Sequence, residues 1–166
     1  MESEYKRHTI SLYVANKPGV LIRIALVFAR RGYNLDSLVV SEAHDPAYSQ
    51  MNIVASGETK TLDQILKQLN KLVDVIHAKD NTGENNIQKE MALIKVKCTE
   101  ANRSEIIQII TAYKGNVVDL SETTMVFQVS GSSEKLDAVH KLCDHYGVLE
   151  IIRTGKLLMA RGESIT

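Results

Sequence analysis

The sequence predicts an α+β protein made of two consecutive units of the order βαββαβ, and three observations carry that expectation. Short β-rich runs of alternating apolar and polar residues are followed by runs of helical apolar spacing, and the two patterns repeat in the same order twice. Residues 80–89, with Asn81, Gly83, Asn85 and Asn86, offer little to bury and fall between the two copies. With 166 residues and 44% apolar content, the chain is long enough for two cores. In a βαββαβ unit two crossover connections interleave into a four-stranded antiparallel sheet with both helices on one face, the ferredoxin-like arrangement. Domains are therefore expected over residues 1–80 and 91–166, with a linker at 81–90.

The first strand is expected at residues 9–15 and the first helix from Val20 to about Arg31, with Gly32 as its stop. Leu21, Ile24, Ala25 and Phe28 are placed to face the sheet. Ile22, Leu26 and Ala29 form a second apolar stripe on roughly the opposite side. A helix with its back to water has no use for such a stripe, which reads as a contact with another subunit. Residues 35–43 and 48–56 form a hairpin through His44-Asp45-Pro46-Ala47. Thr61 with Gln64 reads as a capping box before Leu62, Ile65, Leu66, Leu69 and Leu72, and a strand follows at 73–79.

The second copy opens with a strand at 91–98, then a helix begun by Asn102 and Glu105 that carries Ile106, Ile107, Ile109, Ile110 and Tyr113 and stops at Gly115. Strands at 116–121 and 123–131, a helix bearing Leu136, Val139, His140 and Cys143, and a strand at 148–152 complete it. The run Leu157-Leu158-Met159-Ala160 is expected to add a strand or a docking segment. Each unit leaves one sheet face bare, and a domain of about 80 residues buries only a modest fraction of its surface. Pairing of units or of subunits is the expected remedy.

Lys plus Arg and Asp plus Glu each total 20, so no net field draws the chain to nucleic acid or to an anionic membrane. No apolar run reaches the ~20 residues that span a bilayer, and the stretch from Met1 to His8 is charged and unlike an export signal. Cys98 and Cys143 lack CxxC spacing and fall on core positions, which points to buried free thiols and suits a cytoplasmic protein.

Between the first strand and helix lies Asn16-Lys17-Pro18-Gly19-Val20-Leu21. Pro18 keeps Lys17 out of the helical region and Gly19 has no Cβ to block approach to the backbone. The helix start offers unpaired N–H groups and partial positive charge, the chemistry that holds a carboxylate or a phosphate. Taken alone, these six residues suit an ordinary β-to-α turn better. The second copy has no Pro-Gly at its helix start, around Ala101-Asn102-Arg103.

Nucleophile arrangements, Walker A loops, dinucleotide fingerprints and metal-ligand clusters are all missing from the sequence, so no catalytic residue and no metal ligand is assigned. His77 and His140 read as structural, while His8, His44 and His145 read as loop or terminal residues. Asp36, Glu42 and Asp45 read as solvated, with Asp36 and Glu42 on one strand face.

Three stretches together resemble one family: Asn16-Lys17-Pro18-Gly19-Val20-Leu21, Arg31-Gly32-Tyr33-Asn34-Leu35-Asp36-Ser37-Leu38 and Lys67-Gln68-Leu69-Asn70-Lys71-Leu72-Val73-Asp74-Val75. Leu93-Ile94-Lys95-Val96, Lys135-Leu136-Asp137-Ala138, Arg153-Thr154-Gly155 and Arg161-Gly162 extend the likeness over nearly the whole chain. The sequence resembles the regulatory small subunit of acetohydroxyacid (acetolactate) synthase, whose first domain is an amino-acid-sensing ACT module. The resemblance implies a homodimer through the ACT domains with a branched-chain amino acid, usually valine, at the interface. The ligand carboxylate would meet Asn16, Gly19, Val20 and Leu21, and the amino group would meet Asn34 and Leu35 of the other copy. Ile22, Leu26 and Ala29 would belong to the dimer contact. No cofactor is implied for this chain, because thiamine diphosphate, FAD and magnesium belong to the catalytic large subunit, its expected partner. The alternatives are a stand-alone ACT sensor acting on another partner and, more remotely, a small ferredoxin-like enzyme, against which the missing acid–base groups argue. The choice among valine, leucine and isoleucine stays open, since one methylene in an apolar pocket is worth only ~1–3 kcal/mol.

Overall fold

The computed structural model describes residues 5–83 and 85–166. Its first elements are β1 (Tyr5–Ala15), α1 (Val20–Ala29), β2 (Asn34–Glu42), β3 (Tyr48–Glu58), α2 (Thr59–Leu69) and β4 (Val75–Asp80). Next come β5 (Ile87–Lys97), α3 (Arg103–Ala112), β6 (Asn116–Leu120), β7 (Thr124–Gly131), α4 (Ser133–Cys143), β8 (Val148–Arg153) and β9 (Leu157–Met159). The chain forms two compact units, one holding residues up to Ile87 together with Lys156–Thr166, the other Gln88–Gly155.

Both units are α+β with the expected ferredoxin-like order. The first sheet runs β2-β3-β1-β4 and the second β6-β7-β5-β8, with antiparallel pairing throughout. In the first unit Ile10, Leu12 and Val14 alternate along β1 toward Val20, Ile24 and Phe28 of α1 and Leu62, Ile65 and Leu69 of α2. In the second, Ala92, Ile94 and Val96 of β5 and Met125 and Phe127 of β7 meet Ile106, Ile110, Leu136, Val139 and Cys143. Cys98 and Cys143 are free and buried, and burial, with Asp144 adding, pushes the Cys143 thiol up to about 11.

Several local expectations are corrected. The inward stripe of α1 is Val20, Ile24 and Phe28, whereas Leu21 is 41% exposed and shares the outer side with Ile22 at 65% and Leu26 at 44%. α2 begins at Thr59 after Glu58, without a side-chain cap, so Thr61 and Gln64 form no capping box. Asn102 precedes α3, but its Oδ1 accepts from Thr99 N–H rather than from a helix amide. The left-handed residue beyond α3 is Lys114, not Gly115. Val73 lies outside β4 and is exposed. His8 is a buried residue of β1, which starts at Tyr5; its Nδ1 lies 3.4 Å from Asp80 Oδ2 without hydrogen-bond alignment.

Tyr33 explains a glycine that the sequence left unread. Its hydroxyl donates to Glu58 O, and a Cβ on Gly57 would stand 2.4 Å from the ring. Gly57→Ala is expected to push the buried Tyr33 aside and cost about 1–3 kcal/mol, read as a lowered midpoint in urea with an unchanged slope.

The face of the first sheet away from its helices is not bare. Thr9, Ser11, Asn52 and Val54 on it are buried, and Leu158 of β9 is buried with them. Leu158 N–H lies 3.2 Å from the Asn52 side-chain oxygen when that amide is oriented to accept. Asn81 Nδ2 donates to Ser11 Oγ at 2.7 Å and Thr9 N–H donates to Thr82 Oγ1 at 2.9 Å. In the second unit, buried Glu90 takes Nε of Arg153 at 3.1 Å and Nη2 at 2.6 Å, together with Ser133 Oγ, while Arg153 Nη1 reaches Asp137. These partners raise the Arg153 pKa further, although its desolvation acts to lower it.

Candidate functional site

The turn between β1 and α1 is built by two constraints. Asn16 is pinned to the β2–β3 connection, its N–H donating to Ala47 O at 2.8 Å and its Nδ2 to Pro46 O at 3.1 Å. Gly19 then takes φ 83°, a left-handed conformation that carries strain for any residue with a Cβ. α1 opens without a side-chain cap, and the Val20 N–H makes only a long 3.4 Å contact with Lys17 O. The first amides therefore face the exposed side of the turn unsatisfied by side chains.

A cation stands beside them that the sequence reading overlooked. Side chains on a helix tilt toward its N-terminus, so Arg23, four residues into α1, reaches back over the turn. Its Nη2 pairs with Asp74, and its Nη1 lies 3.7 Å from where a Cβ on Gly19 would be. Asp74 is fixed in turn, since its carbonyl accepts the Ala15 N–H at 2.7 Å. The apolar stripes of α1 drew attention away from Arg23; its place in the first turns of the helix was the available signal.

Asn34 and Leu35 begin β2, at the far end of α1 from the turn. A ten-residue helix separates the two groups by about 15 Å, so one chain does not bring them together. A β-bulge follows, because Leu35 pairs with Ala55 and Ser37 with Val54, leaving Asp36 as the extra residue. This overturns the solvated reading of Asp36 and its shared face with Glu42. The Asp36 side chain is only 15% exposed and accepts from Ser56 Oγ, from Asn34 Nδ2 at 2.8 Å and from Arg7 Nε at 3.3 Å. Burial acts to raise its pKa, but the Ser56 and Asn34 hydrogen bonds and then Arg7 outweigh it, and the net shift is downward. With Nδ2 committed to Asp36, the Asn34 carbonyl oxygen is left as an acceptor.

The sign of that shift is testable. A carboxyl whose folded pKa lies below its ordinary value favours folding above that value and loses the contribution as the pH falls through the folded one. Asp36→Asn is expected to flatten the stability-against-pH curve below about pH 4, measured by urea unfolding across the acid range.

Exposed apolar side chains stand on the outer side of α1, at Leu21, Ile22 and Leu26, and on the edge strand β2, at Leu38 and Val40. Ala29 lies exposed at the end of α1. Among the described residues there is no cluster of three or more His, Cys, Asp or Glu able to hold a metal, and no helix is long and apolar enough to cross a membrane.

Comparison with known proteins agrees over both units. Residues 10–77 match the family model of the AHAS small subunit-like ACT domain, and residues 89–162 match that of the small subunit of acetolactate synthase. A probable acetolactate synthase small subunit of Methanothermobacter thermautotrophicus is 42% identical over 163 residues, covering 98% of this chain and 97% of the relative. The acetolactate synthase small subunit of Mycobacterium bovis is 39% identical over 95% of this chain and 94% of its own. The crystal structure of an acetolactate synthase small subunit from Thermotoga maritima superposes with a TM-score of 0.86 at 37% identity, covering 96% of this chain and 99% of that one. The chain belongs to the acetolactate synthase small-subunit family.

Proposed function

We propose that the chain is a noncatalytic regulatory subunit that activates the acetohydroxyacid synthase large subunit and transmits feedback inhibition by a branched-chain amino acid, valine foremost. The observation that carries this reading is the Gly19 turn: a left-handed glycine, an uncapped helix start and the Arg23 guanidinium converge on one exposed spot that suits a carboxylate. Asn34, turned by Asp36 to offer its oxygen, suits an ammonium group. Because the turn and Asn34 are separated within one chain, the complete site needs two copies, in which Gly19, Val20 and Leu21 of one face Asn34 and Leu35 of the other. The exposed strip of Ile22, Leu26 and Ala29 supplies the contact between them. The effector-binding ACT domain is assigned to residues 1–80, with 81–90 as linker and 91–166 as the second domain, whose residues 156–166 return to the first unit.

Calorimetric titration of the purified chain with valine, leucine and isoleucine, followed by addition to the catalytic subunit, tests the reading. Gly19→Asp is a poor probe, since φ 83° would strain the backbone as well as exclude a ligand. Arg23→Gln leaves the backbone alone. Losing a charge-assisted hydrogen bond costs about 1.5–3 kcal/mol, so valine affinity is expected to fall roughly tenfold to a hundredfold while activation of the catalytic subunit persists. Absence of any branched-chain amino acid binding, together with no effect on the catalytic subunit, would overturn it.

A further inference from the structure

On the face of the first sheet away from α1 and α2, Gln50, Tyr13 and His77 stand in one row, since Tyr13 is paired with Gln50 on β3 and with His77 on β4. The Tyr13 ring stacks on both sides, 5.0 Å from Tyr48 at 25° and 5.8 Å from His77 at 21°. Beside this row lies a cavity of about 690 Å³ whose other walls include Ile76, Leu158 and Met159 and residues 164–166. The size is that of a small-molecule site. The returning segment that walls it is fastened twice, with Thr166 O 3.1 Å from His77 Nε2 and Thr166 Oγ1 accepting the Ala160 N–H at 2.6 Å.

No Asp, Glu, Lys or Arg lines this cavity. An anionic ligand would lose hydration there without a Lys or Arg as counter-charge, and Asp45, close enough to help raise the Tyr13 pKa after burial itself, disfavours an anion further. A flat uncharged ring instead gains edge-to-face contact with the Tyr13 and His77 rings and apolar contact with Ile76 and Leu158.

We propose that this cavity is a second ligand site, separate from the Gly19 turn, which takes a neutral planar heteroaromatic molecule packed against the ring edges of the Tyr13–His77 row. Its polar edge is served by the Gln50 amide and the Ser164 hydroxyl, both in the lining. The two sites share one loop: His44 lines the cavity, and Pro46 and Ala47 of the same connection hold Asn16.

The test titrates the full chain with indole, read by backbone amide shifts in NMR. Saturable shifts are expected at Gln50, Ile76, His77 and Leu158, and they persist when valine is present in excess. An edge-to-face aromatic contact is worth about 0.5–1.5 kcal/mol, so Tyr13→Leu should weaken indole roughly twofold to tenfold. His77→Ala, on a different strand, should do the same and guards against a sheet defect in the first variant. Indole-3-carboxylate should bind at least about fivefold more weakly than indole, because the added charge finds no partner. The proposal fails if no saturable shift occurs up to the solubility limit, if the shifts gather at residues 16–21, if the carboxylate binds as well as indole, or if neither variant alters affinity.

Discussion

Leu26→Glu is expected to run as a monomer in light scattering and to lose valine binding while keeping the circular dichroism of the parent chain. The side chain lies outside the core at 44% exposure, so a charge there does little to the isolated unit. Across a dimer contact formed with Ile22, Leu38 and Val40, the same charge would be buried without a partner, which costs about 3–5 kcal/mol. Loss of that size shifts association by a factor of hundreds or more. Valine binding is expected to go with it, because in the proposed site the turn and Asn34 meet only between copies. A dimer that survives the substitution would place the contact elsewhere.

Glu90→Ala is expected to be the most destabilising change in the second unit. Glu90 is buried and holds the Arg153 fork by two hydrogen bonds, with Ser133 on its other oxygen. Removing one member of such a pair leaves the remaining charge partly desolvated, at about 3–5 kcal/mol, which lowers the melting temperature of a domain this size by at least about 12 °C. Asp137→Ala, which removes the other partner of Arg153 from a side chain 64% exposed, should cost less than about 1 kcal/mol. If calorimetry finds the two variants equally stable, the burial of Glu90 does not govern the network.

The order of elements was readable because helix and strand periods differ and glycines punctuate them, and the turn at Asn16 to Leu21 was readable because Pro and Gly act locally. What escaped the sequence depends on partners distant in the chain. Whether Val20 or Leu21 turned inward was set by the φ of Gly19, which a letter does not reveal. The bulge that makes Asp36 a buried acceptor is a property of the β2–β3 register, and the burial of His8 needed a strand longer than its alternation suggested. Arg153 and Glu90 lie 63 positions apart, so a matching motif marked the arginine but not its counterpart.

The return of Lys156–Thr166 to the first unit has a consequence for synthesis. The sheet of β1 to β4 is complete once Asp80 has emerged from the ribosome, yet Leu158, which lies buried on that sheet, is still 78 residues short of synthesis (158 − 80). At roughly 5–20 residues per second that is a delay on the order of 4–16 s. Through that interval Asn52 and Val54 wait without the side chain that later lies with them, and a ribosome that stalls in α4 leaves the first unit unfinished although every one of its own strands up to β4 is present.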